Sequence, residues 1–209
     1  MLQKFIGKSM QSIEDKIRNR IYGYGRGHVF TPQDFLDLGS RSAIGIALLR
    51  LTENKVIRSI ARGIYDYPKS HQEIGLLKPS ADKIARALAS NAKIRLQPSG
   101  AYAANLLGLS EQVPLKMVFL TDGISKSIHV GNQEIILKKT TPKSMEAADK
   151  VSGLVIQALK YFGKQNVDER VIEKLKNTLT QEEKTVLLKD IKLAPAWIAS
   201  IIREVAKLK

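Results

Sequence analysis

Cysteine is absent from this chain of 209 residues, and aromatic residues make up only 6% of it. Without cysteine the chain forms no disulfide bonds and offers no thiolate metal ligands, and a reducing compartment is permitted. No apolar run approaches the roughly 20 residues that a membrane-spanning helix needs. The N-terminal segment MLQKFIGKSM lacks the apolar stretch of a signal peptide. We therefore expect a cytoplasmic protein that does not bind a membrane.

Acidic residues are also scarce relative to basic ones. The chain has 34 Lys and Arg against 20 Asp and Glu, which gives a formal net charge of +14. Residues 1–70 carry 12 basic and 6 acidic side chains, whereas residues 143–209 carry 13 and 9. The excess is therefore proportionally largest at the N-terminal end. A polyanion, nucleic acid above all, is the expected partner, and the alternative is a generically basic protein.

The first seventy residues show the pattern of helix, turn, helix and hairpin. Isoleucines spaced four apart predict a first helix through about Ile21, capped by Ser9 or Ser12. Thr31-Pro32-Gln33-Asp34 predicts the start of a short second helix, which ends at Gly39. Ser40 caps an amphipathic third helix, and two β-prone runs then turn on Ala61-Arg62-Gly63. This order predicts a winged helix-turn-helix domain over residues 1–68.

We expect a second domain over residues 69–209. Together with the winged helix-turn-helix domain it predicts the α+β fold class. Its first part, 69–142, reads as mixed α/β, because Lys116–Leu120 resembles a buried strand and Gly131-Asn132 suits a hairpin turn. Its last part, 143–209, reads as helical, because apolar residues recur there at helical spacing.

Four further elements are expected within this second domain. Residues 68–79 read as a linker with some structure, and residues 93–96 as a short strand. A helix is expected from Ser99 to Gly108, and an apolar stripe from Ala147 to Phe162 predicts a long helix. Pro195 opens the last helix.

The N-terminal end of the third predicted helix carries candidate base contacts. A helix lying in the major groove presents its first-turn residues to the base edges. Arg41 there suits a guanine, which accepts two hydrogen bonds from arginine, and Ser40 and Ser42 suit phosphates. Gly45 lets the backbone approach the DNA closely, at the expense of helix stability. The alternative for Arg41 is an ordinary solvated first-turn residue.

The predicted β-hairpin carries a second set of candidate contacts. Arg58 and Arg62 bracket its tip, and Gly63 supplies the backbone freedom of the turn. Wing arginines lie along phosphates or in the adjacent minor groove. The glycines of 23–27 lack the lysine and serine of a P-loop, so we interpret them as a flexible turn with Arg26 as a further phosphate contact.

No motif in the sequence requires catalysis. The histidines His28, His71 and His129 are far apart and have no acidic partner at metal-ligand spacing, so we expect no metal and no cofactor. Ser99 lacks the G-x-S-x-G context of a nucleophile, and helix capping explains it better. Thr121-Asp122-Gly123 follows a predicted strand, and this pattern is equally typical of a catalytic acid and of a simple turn. We therefore expect a protein that is not an enzyme.

Several strings of residues resemble one family. RGHVFTPQDFLDLGSRSAI, ARGIYDYP, PSG followed by YAANLLGLSEQVP, FLTDG and APAWI resemble the AbiEi-type antitoxins of type IV, abortive-infection toxin–antitoxin systems, in their DUF6088-like branch. The resemblance runs from about residue 13 to residue 205. It implies an N-terminal winged helix that represses its own operon by binding promoter inverted repeats in double-stranded DNA, and a homodimer would suit such repeats. It also implies a C-terminal domain that counteracts a nucleotidyltransferase-like toxin without a stable complex.

The resemblance assigns roles to particular positions. It puts the DNA contacts on Arg41, Ser42, Arg58 and Arg62. It puts an antitoxin signature on five residues: Ser99, Gly100, Tyr102, Asn105 and Gly108. Tyr102 and Asn105 share a helix face and either present polar groups to a partner or, in the case of Asn105, satisfy buried backbone.

Two alternatives remain beside this family. Ser40-Arg41 and the apolar stripe after it also resemble the winged helix of GntR-type transcriptional regulators, but Ala43 and Gly45 replace the threonine and second arginine usual there. A winged domain used to bind RNA or protein is the other alternative.

Overall fold

The computed structural model describes residues 11–89 and 94–207, and the chain divides into two compact units, residues 1–91 and 92–209. Both units combine helices with small sheets, so the chain has mixed α and β structure. The functional boundary expected between residues 68 and 69 stays a prediction.

Helices and short strands alternate in the N-terminal unit. In chain order the elements are α1 (Ile13–Tyr24), β1 (Val29–Phe30), α2 (Arg41–Glu53), β2 (Arg58–Ala61), β3 (Ile64–Asp66), β4 (Ser70–His71), β5 (Gly75–Leu76) and α3 (Ala81–Ala89). Strand β3 is central in a three-stranded antiparallel sheet of order β1-β3-β2, and β4 pairs with β5 as a separate hairpin.

Local side-chain contacts explain where these helices begin. The Ser12 hydroxyl accepts a hydrogen bond from the Asp15 amide at 3.1 Å and so caps α1, while Ser9 lies outside the described residues. At the second predicted helix, the Asp34 carboxylate accepts a hydrogen bond from the Thr31 amide at 2.7 Å. The segment that follows is a 3-10 helix, Pro32–Phe35, and not the longer helix that the sequence predicts.

The core of the N-terminal unit lies between α1, α2 and the small sheet. Phe30 and Phe35 meet edge to face with ring centroids 5.5 Å apart. Buried aliphatic residues surround them, and those from α2 are spaced at i, i+3, i+4 and i+7, as the sequence predicts: Ile17, Ile21, Ile44, Ala47, Leu48, Leu51 and Ile57. One face of α2 is therefore fixed in the core, and the opposite face lies at the surface.

The C-terminal unit has a four-stranded sheet followed by helices. The elements are β6 (Leu96–Ser99), α4 (Gly100–Leu106), β7 (Lys116–Thr121), β8 (Lys126–Val130), β9 (Gln133–Lys139), α5 (Val151–Phe162), α6 (Glu169–Thr178), α7 (Gln181–Lys189) and α8 (Ala196–Val205). The strand order is β6-β7-β9-β8, with β7 and β9 parallel and the other pairs antiparallel. The predicted two-residue hairpin turn at Gly131-Asn132 is confirmed, and Gly131 has φ +58°.

The helices of the C-terminal unit form its main apolar core. α5 supplies fully buried Ala158 and Leu159, and α8 supplies Ile198 and Ile202. Trp197, the single tryptophan of the chain, is partly buried against the same core. This tryptophan is therefore a natural reporter of packing in the C-terminal unit.

The linker over 68–79, for which some structure is expected, contains the β4–β5 hairpin. Other elements differ in their bounds from the sequence prediction. The strand expected at 93–96 begins at Leu96 and runs on to Ser99, while Lys93 lies outside the described residues. The helix expected from the stripe that starts at Ala147 begins only at Val151, because Asp149 adopts φ +60°, which interrupts the helical geometry.

Candidate nucleic-acid interface

Packing fixes the N-terminal end of α2. A Cβ atom on Gly39 would lie 2.8 Å from Cδ1 of Ile13, so a larger residue there would displace the end of the Ile13 side chain. One residue later the Ser40 hydroxyl accepts a hydrogen bond from the Ala43 amide at 3.3 Å and caps the helix, as predicted. The first turn of α2 is therefore held in place from both sides.

The first turns of α2 carry four of the predicted contact residues at the surface. Ser40, Arg41, Ser42 and Gly45 are all exposed, and a Cβ atom on Gly45 would meet nothing within 4 Å. Within residues 11–89 and 94–207, the Arg41 guanidinium forms no hydrogen bond or ion pair with another residue. Its donors are therefore available to an outside acceptor, and Gly45 is not required by packing inside the unit.

The same face continues with apolar side chains that the sequence reasoning missed. Ile46 is 49% exposed and Leu49 is 57% exposed. Beyond them, Arg50 lies 3.8 Å from the Glu14 carboxylate. The sequence could have indicated this surface, because Ile46 and Leu49 lie off the buried stripe of the amphipathic helix. Apolar residues at such positions often mark a contact surface.

The β2–β3 hairpin places Arg62 at an exposed tip. Ala61 faces Ile64 across the strands, so that Arg62 and Gly63 form the turn, and Gly63 has φ +71°. This left-handed backbone favours glycine. In the described part of the chain the Arg62 side chain has no hydrogen-bond or ion-pair partner. The hairpin tip therefore carries a second available cation.

Arg58, in contrast, is bound within its own unit. Its Nε and Nη2 donate to the two carboxylate oxygens of Asp66 at 3.0 and 2.6 Å, and Nη2 also donates to the Leu77 carbonyl at 2.9 Å. Asp66 is buried, and its hydrogen bonds raise the pKa of Arg58 above the ordinary value. Arg58 is therefore a structural residue of the hairpin, and its predicted contact with DNA receives no support from this geometry.

Arg26 is intermediate between these two situations. Its guanidinium carbon lies 4.8 Å from the centroid of the Tyr67 ring, and Nη1 donates to the Pro68 carbonyl at 3.0 Å. Neither partner carries a charge, so the positive charge of Arg26 is uncompensated by these contacts. Arg26 and Arg58 line a common cleft, which neither Arg41 nor Arg62 lines.

The residues of the predicted antitoxin signature lie on and around α4. Ser99 precedes the helix, but its hydroxyl does not cap it; it donates instead to Oε1 of Gln157 at 3.2 Å, which corrects the capping interpretation. Gly100 and Gly108 have φ +61° and +66° and so permit the turns at the two ends of α4. Ser99, Gly100 and Gly108 therefore help to fix the backbone around α4.

Tyr102 and Asn105, the two polar side chains on α4 in this signature, also make contacts that stabilise the fold. Tyr102 is only 5% exposed, and its ring centroid lies 5.3 Å from that of Phe119. The Asn105 amide donates to the Ser110 and Gln112 carbonyls at 3.1 and 3.2 Å and so holds the loop after α4. Of the two readings of Asn105, the geometry favours satisfaction of backbone.

Other candidate residues are held by local contacts. The Asp122 carboxylate accepts from the amide and Nε of Arg95, both at 2.8 Å, and these hydrogen bonds lower its pKa below 3.8. Burial lowers the pKa of His28, whose ring stacks on Tyr24 at 4.4 Å. Across the described ranges no group of three or more acidic or histidine side chains is arranged to hold a metal ion. In those ranges no helix reaches the length and apolarity of a bilayer span.

A comparison with known families gives one match. The model of a family of unknown function, DUF6088, matches residues 13–187. No curated protein matches the chain.

Proposed function

The chain belongs to the DUF6088 family, and we propose that it is a DNA-binding transcriptional autorepressor and antitoxin of a type IV, AbiE-like toxin–antitoxin module. The observation that carries the DNA-binding part is the exposed face of α2 with its available Arg41. In this proposal the N-terminal unit is a winged helix-turn-helix domain, and α2 enters the major groove.

Each exposed group on the α2 face has a role in this proposal. Arg41 donates two hydrogen bonds to a guanine edge, which is worth about 1–3 kcal/mol of discrimination against the wrong base. Ser42 contacts a phosphate, and Gly45 leaves room for the groove wall. Ile46 and Leu49 contact thymine methyl groups, the apolar feature of the major groove.

The hairpin supplies a contact of a different kind. Arg62 lies on the exposed tip, where its cation binds backbone phosphates whatever the base sequence. Two protomers on one inverted repeat would place their α2 helices in half-sites about 10 base pairs apart, or a multiple of that. The net charge of +14 supports binding to a polyanion.

A gel-shift assay on the DNA upstream of the gene tests the repressor part. If about six to ten phosphates are neutralised, affinity falls about 10³- to 10⁵-fold between 50 and 200 mM salt. Arg41→Ala removes the preference for upstream DNA over a random duplex, whereas Arg62→Ala weakens binding to both alike. Arg170→Ala, an exposed arginine of the C-terminal unit, is the matched control and leaves both unchanged. Flat salt dependence would overturn the electrostatic part.

The antitoxin part follows from the family resemblance and has a separate test. A nucleotidyltransferase-like reading frame next to the gene is expected. The full chain carrying Arg41→Ala and Arg62→Ala together, co-expressed with that protein from a foreign promoter, loses repression and still restores growth. Loss of both activities together would contradict a division of labour between the two halves of the chain.

A second candidate is a winged domain that binds protein or RNA. The exposed Ile46 and Leu49 favour it, since apolar side chains at a surface are typical of protein contacts. Equal affinity for random RNA and for the upstream duplex would support it over the repressor.

A further inference from the structure

A cleft of about 520 Å³ opens in the N-terminal unit where the end of α2 meets the start of β2. Small-molecule sites in proteins commonly have volumes of about 300–1,000 Å³. Ser40, Arg41 and Arg62 do not line this cleft. The cleft is therefore separate from the face proposed above to contact DNA, and a ligand there requires no nucleic acid.

Among the residues that the structure describes, the charged side chains that line the cleft are all basic: Arg26, Lys55 and Arg58. The charge of Arg58 is balanced by Asp66, whereas Arg26 contacts the Tyr67 ring and the Pro68 carbonyl, neither of which is charged. Lys55 is exposed and has no ion-pair partner in the described residues. At least two cations without a nearby counter-charge therefore face one concavity, which favours an anion.

The rest of the lining is mostly apolar. Val56, Ile57, Pro68 and Leu76 contribute carbon surface, and Leu76 is 61% exposed. A bare inorganic ion would leave this surface in water. An anion that carries an apolar or aromatic body would cover it, and removal of this apolar surface from water would favour binding.

The backbone at Lys55 is an independent observation. Lys55 follows the C-terminal end of α2 and has φ +58°, a left-handed conformation that glycine or asparagine usually adopts at this position. A side chain with a Cβ atom is strained in this conformation. The chain thus retains an ammonium group at the mouth of the cleft where glycine would be the less strained choice.

We propose that this cleft is a binding site for a small organic anion. A phosphate or carboxylate group of the ligand binds Lys55 and Arg26, and its apolar body packs against Val56 and Leu76. The Ser59 hydroxyl supplies a further polar contact.

Titration of the uniformly ¹⁵N-labelled full chain tests the proposal by NMR at constant ionic strength. The probes are AMP, octanoate and inorganic phosphate alone. AMP, octanoate or both are expected to shift the amide signals of 52–59 and of Leu76 in a saturable manner, and phosphate alone to bind more weakly. The AMP and octanoate arms show whether the site prefers a phosphate or a carboxylate.

Two variants and a control make the result specific. Lys55→Glu reverses the charge and should lower the affinity for the bound probe by about tenfold or more. Lys55→Gly removes the ammonium group and suits the left-handed backbone, so it should bind weakly and remain folded. Lys126→Glu makes the same charge change on β8 and should leave the affinity unchanged.

Two outcomes would overturn the proposal. One is that Lys126→Glu weakens the probes as much as Lys55→Glu does, since binding would then follow overall charge. The other is that none of the three probes shifts these amides. If a DNA duplex shifts them instead, the cleft is part of a nucleic-acid interface. Neither outcome depends on whether Arg41→Ala loses its preference for upstream DNA, so the repressor proposal is judged separately.

Discussion

The first turn of α2 and the α4 segment begin alike in the sequence: each follows a serine, and each combines glycine with polar side chains. At α2, Ser40 caps the helix, and Arg41 has no partner in the described residues. At α4, Ser99 donates to Gln157, and Asn105 donates to two backbone carbonyls. One segment keeps donors available at the surface, and the other uses them inside the fold.

The difference separates residues that bind from residues that hold the fold. An exposed donor without an internal partner binds an outside acceptor without first breaking a contact. A donor already bonded to backbone loses about as much as it gains when it changes partner, because hydrogen bonds are exchanged one for another. The α2 face is therefore suited to recognition, whereas the α4 segment is suited to shaping the C-terminal unit.

Truncation of Tyr102 should give the largest effect on stability. Tyr102→Ala removes a buried ring packed on Phe119 and should lower the free energy of unfolding by about 3–5 kcal/mol. Urea denaturation followed by Trp197 fluorescence measures this in the C-terminal unit. Tyr102→Phe keeps the ring and should lose much less. A stable Tyr102→Ala variant without antitoxin activity would instead make Tyr102 a contact residue.

Truncation of Asn105 should give a smaller loss, confined to the loop after α4. Asn105→Ala removes two hydrogen bonds to backbone and should reduce stability by about 1–3 kcal/mol, with faster amide exchange over residues 107–113. Gln112→Ala is the control, because the group that accepts from Asn105 is the Gln112 carbonyl and remains. Equal effects of the two variants would show that the loop does not depend on the Asn105 amide.

Much of the fold could be predicted from local signals, and the remainder depends on partners far apart in the sequence. The cap at Ser40 and the turn at Gly131 follow from neighbouring residues, because caps and two-residue turns are local structures. The parallel pairing of β7 with β9 does not, since β8 intervenes in the chain and lies at the far edge of the sheet. The β4–β5 hairpin is too short for its alternation to stand out from a linker.

The candidate site was predictable to a similar degree. Helical periodicity places Ser42 opposite the buried stripe and Arg41 at its edge, where the start of the helix leaves it exposed. The ion pair of Arg58 with Asp66 could not be predicted from the sequence. An irregularity between Ser59 and Ala61 shifts the strand register and brings Arg58 opposite Asp66. A regular hairpin with the same turn would pair Arg58 with Tyr67 instead. A single extra residue therefore decides whether this arginine is at the disposal of a ligand.

Within the N-terminal unit, the pair of Arg20 with Asp37 contrasts with the available Arg41. Two hydrogen bonds of 2.7 Å from Arg20 lower the pKa of Asp37 below 3.8. A lowered carboxyl pKa contributes stability above pH 3.8 that is lost as the pH falls through the lowered value. Asp37→Asn should therefore slightly lower the thermal midpoint at pH 7, and the difference from wild type should vanish in strong acid.

The partner variant and DNA binding complete this test. Arg20→Ala should remove the same pH-dependent difference, because it breaks the same pair from the other side. Neither variant should change the preference for upstream DNA, since Arg20 is bound internally to Asp37 and to the Asp34 carbonyl. Loss of that preference in Asp37→Asn would extend the recognition surface beyond the exposed face of α2.

The smallest effect on stability is expected at Arg41, where the effect on DNA recognition is expected to be specific. Arg41→Ala should change the free energy of unfolding by no more than about 0.5 kcal/mol, as is usual for surface positions without internal contacts. Ser40→Ala, one residue earlier, should lose about 1 kcal/mol because it removes the cap. Thermal unfolding followed by circular dichroism compares the two variants. If Arg41→Ala were as destabilising as Ser40→Ala, the arginine would have a structural role, and its selection for a guanine contact would lose its basis.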